Sequence, residues 1–275
     1  FDIAQDRKLR GRHRSLTRIG RALSAREFVL YYQPKVNMRS GAVVGVEALI
    51  RWQHPRDGLV SPGVFLPVIE HHALAIELGE WVIDTALCQI EVWQRAGLPL
   101  PVSVNIGAHH LQSLIFMDRL RGLLAAHPEV SPSMLELEVL ETSALENIAH
   151  VARIVESCAE LGVSFALDDF GTGYCSLAYL KRLPHAQLKI DQLFVRDMLI
   201  DPEDRAILEA VVGLAKAFRR GVVAEGVETA EQGSALLELG CEVAQGFGIA
   251  RPMPAEHVPL WLSRWQPPAA WSGAA

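Results

Sequence analysis

The stretch Phe28-Val29-Leu30-Tyr31-Tyr32-Gln33-Pro34-Lys35-Val36, then Asn37-Met38-Arg39-Ser40-Gly41, then Ala42-Val43-Val44-Gly45-Val46-Glu47-Ala48-Leu49-Ile50-Arg51-Trp52, decides the fold. Both flanks are rich in β-branched and aromatic residues and read as strands. The connection between them is only a turn. It permits an antiparallel hairpin, whereas a parallel pair would need a crossover of about a dozen residues or more. Beyond Trp52 the pattern changes. Strand-like runs at 102–106, 134–140, 163–169, 187–191, 221–225 and 242–245 alternate with helical segments at about 62–72, 76–96, 114–126, 144–161, 203–218 and 230–239.

Alternation of this kind implies a parallel sheet covered by helices. Eight strands favour closure, so the expected fold is α/β, a TIM-like (β/α)8 barrel with an antiparallel first strand. An open doubly wound sheet would usually carry a glycine-rich first turn, and none is found. A basic helical lead-in covers about 9–25. We expect residues 1–19 to be a helical linker from an upstream region, 20–265 one domain, and 266–275 a flexible tail rich in Pro, Ala, Ser and Gly.

The 275 residues suit a single barrel, and a hydrophobic content of 50% with 21% charged residues supplies a large core. Apolar runs break well before the roughly 18 residues of a membrane span, and no signal peptide is visible. The start at Phe1 without an initiator Met leads us to expect a longer parent protein. Cys88, Cys158, Cys175 and Cys241 are widely spaced and form no CxxC pair. A zinc site or disulfide framework is therefore not expected, and a reducing cytoplasm is the expected compartment. The net charge of −6 hides a basic segment, residues 1–26, of local charge +6. No aromatic interleaving or DNA-binding motif accompanies it, so no DNA partner is expected.

Polar residues recur near the ends of these apolar runs. Glu47, Asn105, Glu138, the pair Asp168-Asp169, Lys189 and Glu225 each interrupt or close one. Carboxylates are costly to bury unless paired or bound to metal, and barrel active sites gather at the C-terminal ends of the strands. Five acids with one lysine leave a charge of about −4, which two divalent cations would cancel; Asn105 adds an amide oxygen. Two ions roughly 3.5–4 Å apart clamp a nucleophilic water and a leaving oxygen for in-line displacement at phosphorus. All-oxygen donors suit Mg²⁺ or Mn²⁺. Singly, each residue has a plainer explanation: a helix cap for Asp168, a snorkelling lysine for Lys189, a first-turn acid for Glu228, a surface charge pair for Glu47 and Arg51. None of the ten His closes a core strand, and they are assigned surface or packing roles, with His110 singled out because it follows Asn105 closely.

Taken in order, these motifs resemble the EAL-domain phosphodiesterases, which hydrolyse the bacterial second messenger cyclic di-GMP to linear pGpG. The matching residues are Tyr32-Gln33-Pro34, Glu47-Ala48-Leu49 with Arg51-Trp52 and His54-Pro55, Val104-Asn105, Glu138 with Glu141, Asp168 to Tyr174, Lys189-Ile190-Asp191, Glu225 to Thr229, Gln245-Gly246 and Arg251-Pro252-Met253-Pro254. The resemblance implies that Glu47, Asn105, Glu138 and Asp168 hold one metal and that Asp168 and Asp169 hold the second. Lys189 would position water or stabilise charge, and Glu225 would serve as general base or metal partner, two roles the sequence does not separate. Gln33, Leu49, Arg51, Gln245 and Pro252 would contact substrate. Glu141, with Glu228, would steady the loop after the paired aspartates.

The resemblance further implies a homodimer, an upstream sensory or GGDEF-type domain, and Ca²⁺ that supports binding while suppressing hydrolysis. Leu140 stands where the family usually has Thr, Cys175 replaces a common Ser, and Gly107 and His110 alter a usual Ser-x-x-Gln. A non-catalytic cyclic di-GMP receptor is the rival reading, and a purely structural dimerisation module a third.

Overall fold

The structure is a computed structural model and describes residues 3–173, 177–183 and 186–271. Tyr174, Cys175 and His185 lie outside the described residues. Helix α1 (Ile3–Ser24) leads into β1 (Phe28–Asn37) and β2 (Val43–His54), followed by β3 (Gly58–Val60), α2 (Pro62–Ile69) and α3 (Ala73–Arg95). Next come β4 (Val102–Asn105), α4 (Ala108–Leu111), α5 (Phe116–Ala126), β5 (Leu135–Leu140), α6 (Glu141–Glu146), α7 (Ile148–Leu161) and β6 (Ser164–Phe170). The chain continues through α8 (Leu177–Arg182), β7 (Gln187–Ile190), α9 (Gln192–Arg196), α10 (Pro202–Ala217), β8 (Val222–Ala224), α11 (Ala230–Leu239), β9 (Val243–Ala244), β10 (Met253–Pro254) and α12 (Val258–Arg264).

Eight strands close a ring in the order β1-β9-β8-β7-β6-β5-β4-β2 and back to β1. Strand β1 runs antiparallel to both its ring neighbours, β2 and β9, and the other ring pairings are parallel. The hairpin register runs from Phe28↔Trp52 to Val36↔Val43, with a bulge between Lys35 and Val36. The short strands β3 and β10, which the sequence pattern did not reveal, add to β2 and β1.

The main core lies between the outer face of the barrel and the helices. Val102, Val104, Leu135 and Leu137 of the strands join Ile83, Leu87 and Ile90 of α3 and Val155 of α7 in one cluster of fully buried side chains. Helix α7 ends at Gly162, whose φ of +85° continues no right-handed helix and lets the chain turn into β6. A second, smaller core joins Ile19 and Ala22 of α1 to Phe28, Trp52 and Phe65. The C-terminal part of α1 therefore packs on the barrel, beside its expected role as a linker.

The expected flexible tail also differs from the structure over residues 266–271. Trp271 is buried, and its indole N–H donates to the Ala230 carbonyl at 2.9 Å. A single aromatic anchor outweighs the loop-like composition around it; residues 272–275 lie outside the described residues.

Candidate active site

Strand alternation sends every second side chain into the barrel lumen. An ordinary barrel fills this space with branched apolar residues. Here Gln33, Lys35, Glu47, Ser103, Glu136, Glu138, Asp168, Lys189 and Gln245 are all buried. They touch across the ring from non-neighbouring strands, which only lumen-facing side chains can do.

Two polar layers result. In the deeper one, Lys35 Nζ lies 2.6 Å from Glu136 Oε1, 2.7 Å from Ser103 Oγ and 3.3 Å from Glu138 Oε1. In the upper one, Lys189 Nζ lies 2.5 Å from Glu138 Oε2, 2.7 Å from Glu225 Oε1, 3.0 Å from Asp168 Oδ1 and 3.6 Å from Glu47 Oε2. Glu138 joins the layers. Burial pushes its carboxyl up, but the Lys189 and Lys35 ammoniums outweigh that and hold it at about 2.

Around Lys189 the balance is different. Glu47 accepts hydrogen bonds from Asn105 Nδ2 and Gln245 Nε2, each at 2.6 Å, yet burial and the neighbouring Glu138 and Asp168 raise its carboxyl above the ordinary range. Asn105 thus meets Glu47 through its amide nitrogen, and Oδ1, the atom expected to face a cation, is the one not engaged there. Gln245 also donates to Gln33 Oε1 at 3.0 Å, and Gln33 in turn to the Ala250 carbonyl at 2.9 Å.

The paired aspartates sit on an irregularity. The β6–β7 register shifts between Leu167 and Phe170, and Asp169 has a φ of +53°. Aspartate tolerates this left-handed region better than most residues. The bulge breaks the alternation, so the two adjacent carboxylates meet the same cluster. Asp168, Asp169 and Glu225 each offer an oxygen within 4.8 Å of the others. Burial, then Asp168 and Asp191, raises Asp169 to about 7. Burial raises Glu225 to about 8 although Lys189 pulls it down. Asp168 Oδ1 is buried, with the Lys189 ammonium 3.0 Å away.

The loop after β6 is gripped from below. Glu141 is buried and accepts the Gly171 N–H at 2.8 Å, and a Cβ at Gly173 would stand 2.6 Å from Glu141 Oε1. Leu140 occupies the N-cap of α6 with no side-chain cap bond. His110 is a packing residue: it stacks edge-on against Phe116 at 5.0 Å, and burial lowers it to about 4.

A cavity of about 220 Å³ opens over the cluster, lined by Gln33, Glu47, Leu49, Asp168, Gln192, Glu225, Gly226, Glu228, Gln245, Gly246 and Phe247. Arg51 and Pro252 are not among its lining residues. Arg51 lies two residues beyond Leu49 along β2, bonded to the Ile50 carbonyl at 2.9 Å. Glu228 lines the cavity just before the capping box of α11, Thr229 with Gln232.

Sequence reasoning missed Lys35 and Glu136. The signal was present, because Leu135-Glu136-Leu137-Glu138 puts two acids on one face of an otherwise apolar strand. It also missed Gln192 and Phe247. Phe247 is an exposed ring with the Arg251 guanidinium 4.4 Å from its centre.

Residues 17–252 match the EAL domain family. The chain is 44% identical over 238 residues to the bifunctional diguanylate cyclase/cyclic di-GMP phosphodiesterase MucR of Pseudomonas aeruginosa, covering 86% of this chain and 35% of that protein. It is 37% identical over 250 residues to the cyclic di-GMP phosphodiesterase PdeR of Escherichia coli, covering 90% of this chain and 37% of that protein. It therefore spans little more than a third of the length of these curated relatives. A solved structure of the MucR phosphodiesterase in complex with c-di-GMP matches with a TM-score of 0.85 at 43% identity, covering 89% of this chain and 99% of that one.

Proposed function

This chain belongs to the EAL domain family, and on that premise we propose that it hydrolyses cyclic di-GMP to linear pGpG with two divalent cations, Mg²⁺ or Mn²⁺. The observation that carries the reading is the shortage of positive charge in the upper layer. One ammonium faces Glu47, Glu138, Asp168 and Glu225. Carboxyls raised to about 7 and about 8 fit a cluster shaped for cations. The donor set is carboxylate and amide oxygen, which suits hard cations. Glu47, Asn105, Glu138, Asp168 and Asp169 would hold them.

Bound there, the cations would polarise a phosphoryl oxygen and acidify a water molecule. The chain's own groups do the rest. Lys189 fixes Glu138, Asp168 and Glu225 in one arrangement through contacts of 2.5–3.0 Å. Glu225 lines the cavity and lies within the Asp168–Asp169 cluster, so the same carboxylate is placed to meet a cation or to take a proton. Leu49 and Phe247 offer apolar surface to a nucleobase, and Gln33 and Gln245 set the floor of the cavity. Arg51, further along β2, is assigned to a phosphate that extends past the cavity, and Pro252 to its outer rim. Glu141 is assigned the role of holding the 171–173 loop against the cluster, with Glu228 beside it. The homodimer and an upstream cyclase-type or sensory domain, as the MucR name suggests for that relative, belong to the same proposal.

Product analysis tests the reading. Incubation with cyclic di-GMP and Mn²⁺ is expected to release linear pGpG, and a chelator is expected to stop it. Nucleotide binding without turnover under Mn²⁺ would make the chain a receptor instead.

A further inference from the structure

We propose a second metal site, outside the barrel lumen, built for a borderline-soft divalent cation of the Zn²⁺ type by Asp84, Cys88 and His127. Asp84 and Cys88 lie four residues apart on α3, hence on one face of the helix. His127 ends α5, the neighbouring helix across the β4 connection. A carboxylate oxygen of Asp84, Cys88 Sγ and a ring nitrogen of His127 all lie within 4.8 Å of one another. Asp84 Oδ1 and His127 Nε2 are already 3.1 Å apart.

The second ring nitrogen of His127 strengthens the assignment. Nδ1 lies 2.9 Å from Glu91 Oε1, one turn further along α3. A metal-ligating histidine usually gives its other N–H to a carboxylate, which fixes the tautomer and turns the free lone pair toward the ion. Glu91 does this for Nδ1 and leaves Nε2 facing Asp84. His127 is buried while Cys88 is exposed, so the imidazole is held in place and the thiol is reachable from solvent.

One nitrogen, one thiolate and one carboxylate with a fourth position open to water is a coordination set that zinc accepts, with bonds of about 2.0–2.3 Å. Those bonds bring ligand atoms to roughly 3.5 Å from one another, so only a modest inward movement of the exposed Cys88 side chain is needed. The sulfur separates this site from the all-oxygen cluster in the lumen. Without a metal, Asp84 and Glu91 hold the His127 ring and favour a proton on it against the opposing effect of burial. Metal binding would replace that proton and the thiol proton. It would tie α3, which feeds β4, to α5, which feeds β5. Cysteine spacing gave no sign of this site, because its three ligands come from two helices and only one is a cysteine.

Co²⁺ titration of the folded chain is the test, since a cobalt thiolate absorbs strongly in the near ultraviolet and an all-oxygen site does not. The expected result is a saturable band that persists in Glu47→Gln, disappears in Cys88→Ser and His127→Asn, and is displaced by one equivalent of Zn²⁺. Zn²⁺ should also slow alkylation of Cys88 at least tenfold and raise the melting temperature of the parent chain but not of Cys88→Ser. A band that survives Cys88→Ser, or no band at Co²⁺ concentrations that saturate other binding, would overturn the proposal. None of these three readouts depends on phosphodiesterase activity.

Discussion

The two polar layers of the barrel lumen use the same residue types to opposite ends. In the deeper layer Lys35 faces Glu136 and shares Glu138, and Ser103 completes its hydrogen bonds. Charge is nearly balanced there. In the upper layer, among the described residues, Lys189 alone faces Glu47, Asp168, Glu225 and the other oxygen of Glu138, with Asp169 close by. A buried ion pair whose charges match is a fixed structural unit, whereas an excess of buried carboxylates is tolerated only with protons or cations. The deeper layer holds shape, and the upper one stores an unmet demand for positive charge.

The comparison breaks most sharply at Asp168. Asp168→Asn is expected to lower turnover by about 10³-fold or more, the scale of several kcal/mol of charge stabilisation. Its melting temperature without metal should not fall, because one uncompensated charge has been removed. A variant that turns over normally would remove Asp168 from the site. Lys35→Met comes next, with an expected loss of about 3–5 kcal/mol of stability, since Glu136 and Glu138 lose their shared cation. Denaturant unfolding measures it. Lys189→Met should behave differently: Mn²⁺ should restore much of its lost stability and none of that lost in Lys35→Met.

The pH dependence sharpens the same contrast. Asp169 and Glu225, raised to about 7 and about 8, stabilise the metal-free fold while protonated, and that contribution is lost as pH rises through those values. The metal-free chain should therefore melt progressively earlier as pH rises from about 5 to about 8, between the ordinary carboxylate range and those raised values, and level off above that. Mn²⁺ affinity should rise over the same interval, since fewer protons must be displaced. Calorimetry at several pH values reads both. The smallest effect concerns the loop support: Leu140→Thr places a capping hydroxyl at the uncapped start of α6 and should add about 1 kcal/mol.

Much of this was legible in the sequence. The five-residue turn after Val36 fixed the antiparallel first pair, and strand–helix alternation carried the closed barrel. Acids at strand ends pointed to the cluster jointly: each alone has a plainer explanation, but five on successive apolar runs are costly to bury without cations. Lys35 and Glu136 were less visible, since a compensated charge pair depends on which strands face each other across the lumen. The bulge at Asp169 was hidden for another reason: a left-handed residue within a strand leaves no hydrophobic period to read. Trp271 shows the same limit at the tail, where one aromatic side chain docks a segment whose composition reads as loop.

If the two layers divide as proposed, cations collect in the upper one and nowhere deeper in the lumen. Anomalous scattering from crystals soaked in Mn²⁺ measures this directly. Two peaks bordered by Glu47, Asn105, Glu138, Asp168 and Asp169 are predicted, with none beside Lys35. An upper layer free of manganese at concentrations that support turnover would contradict it.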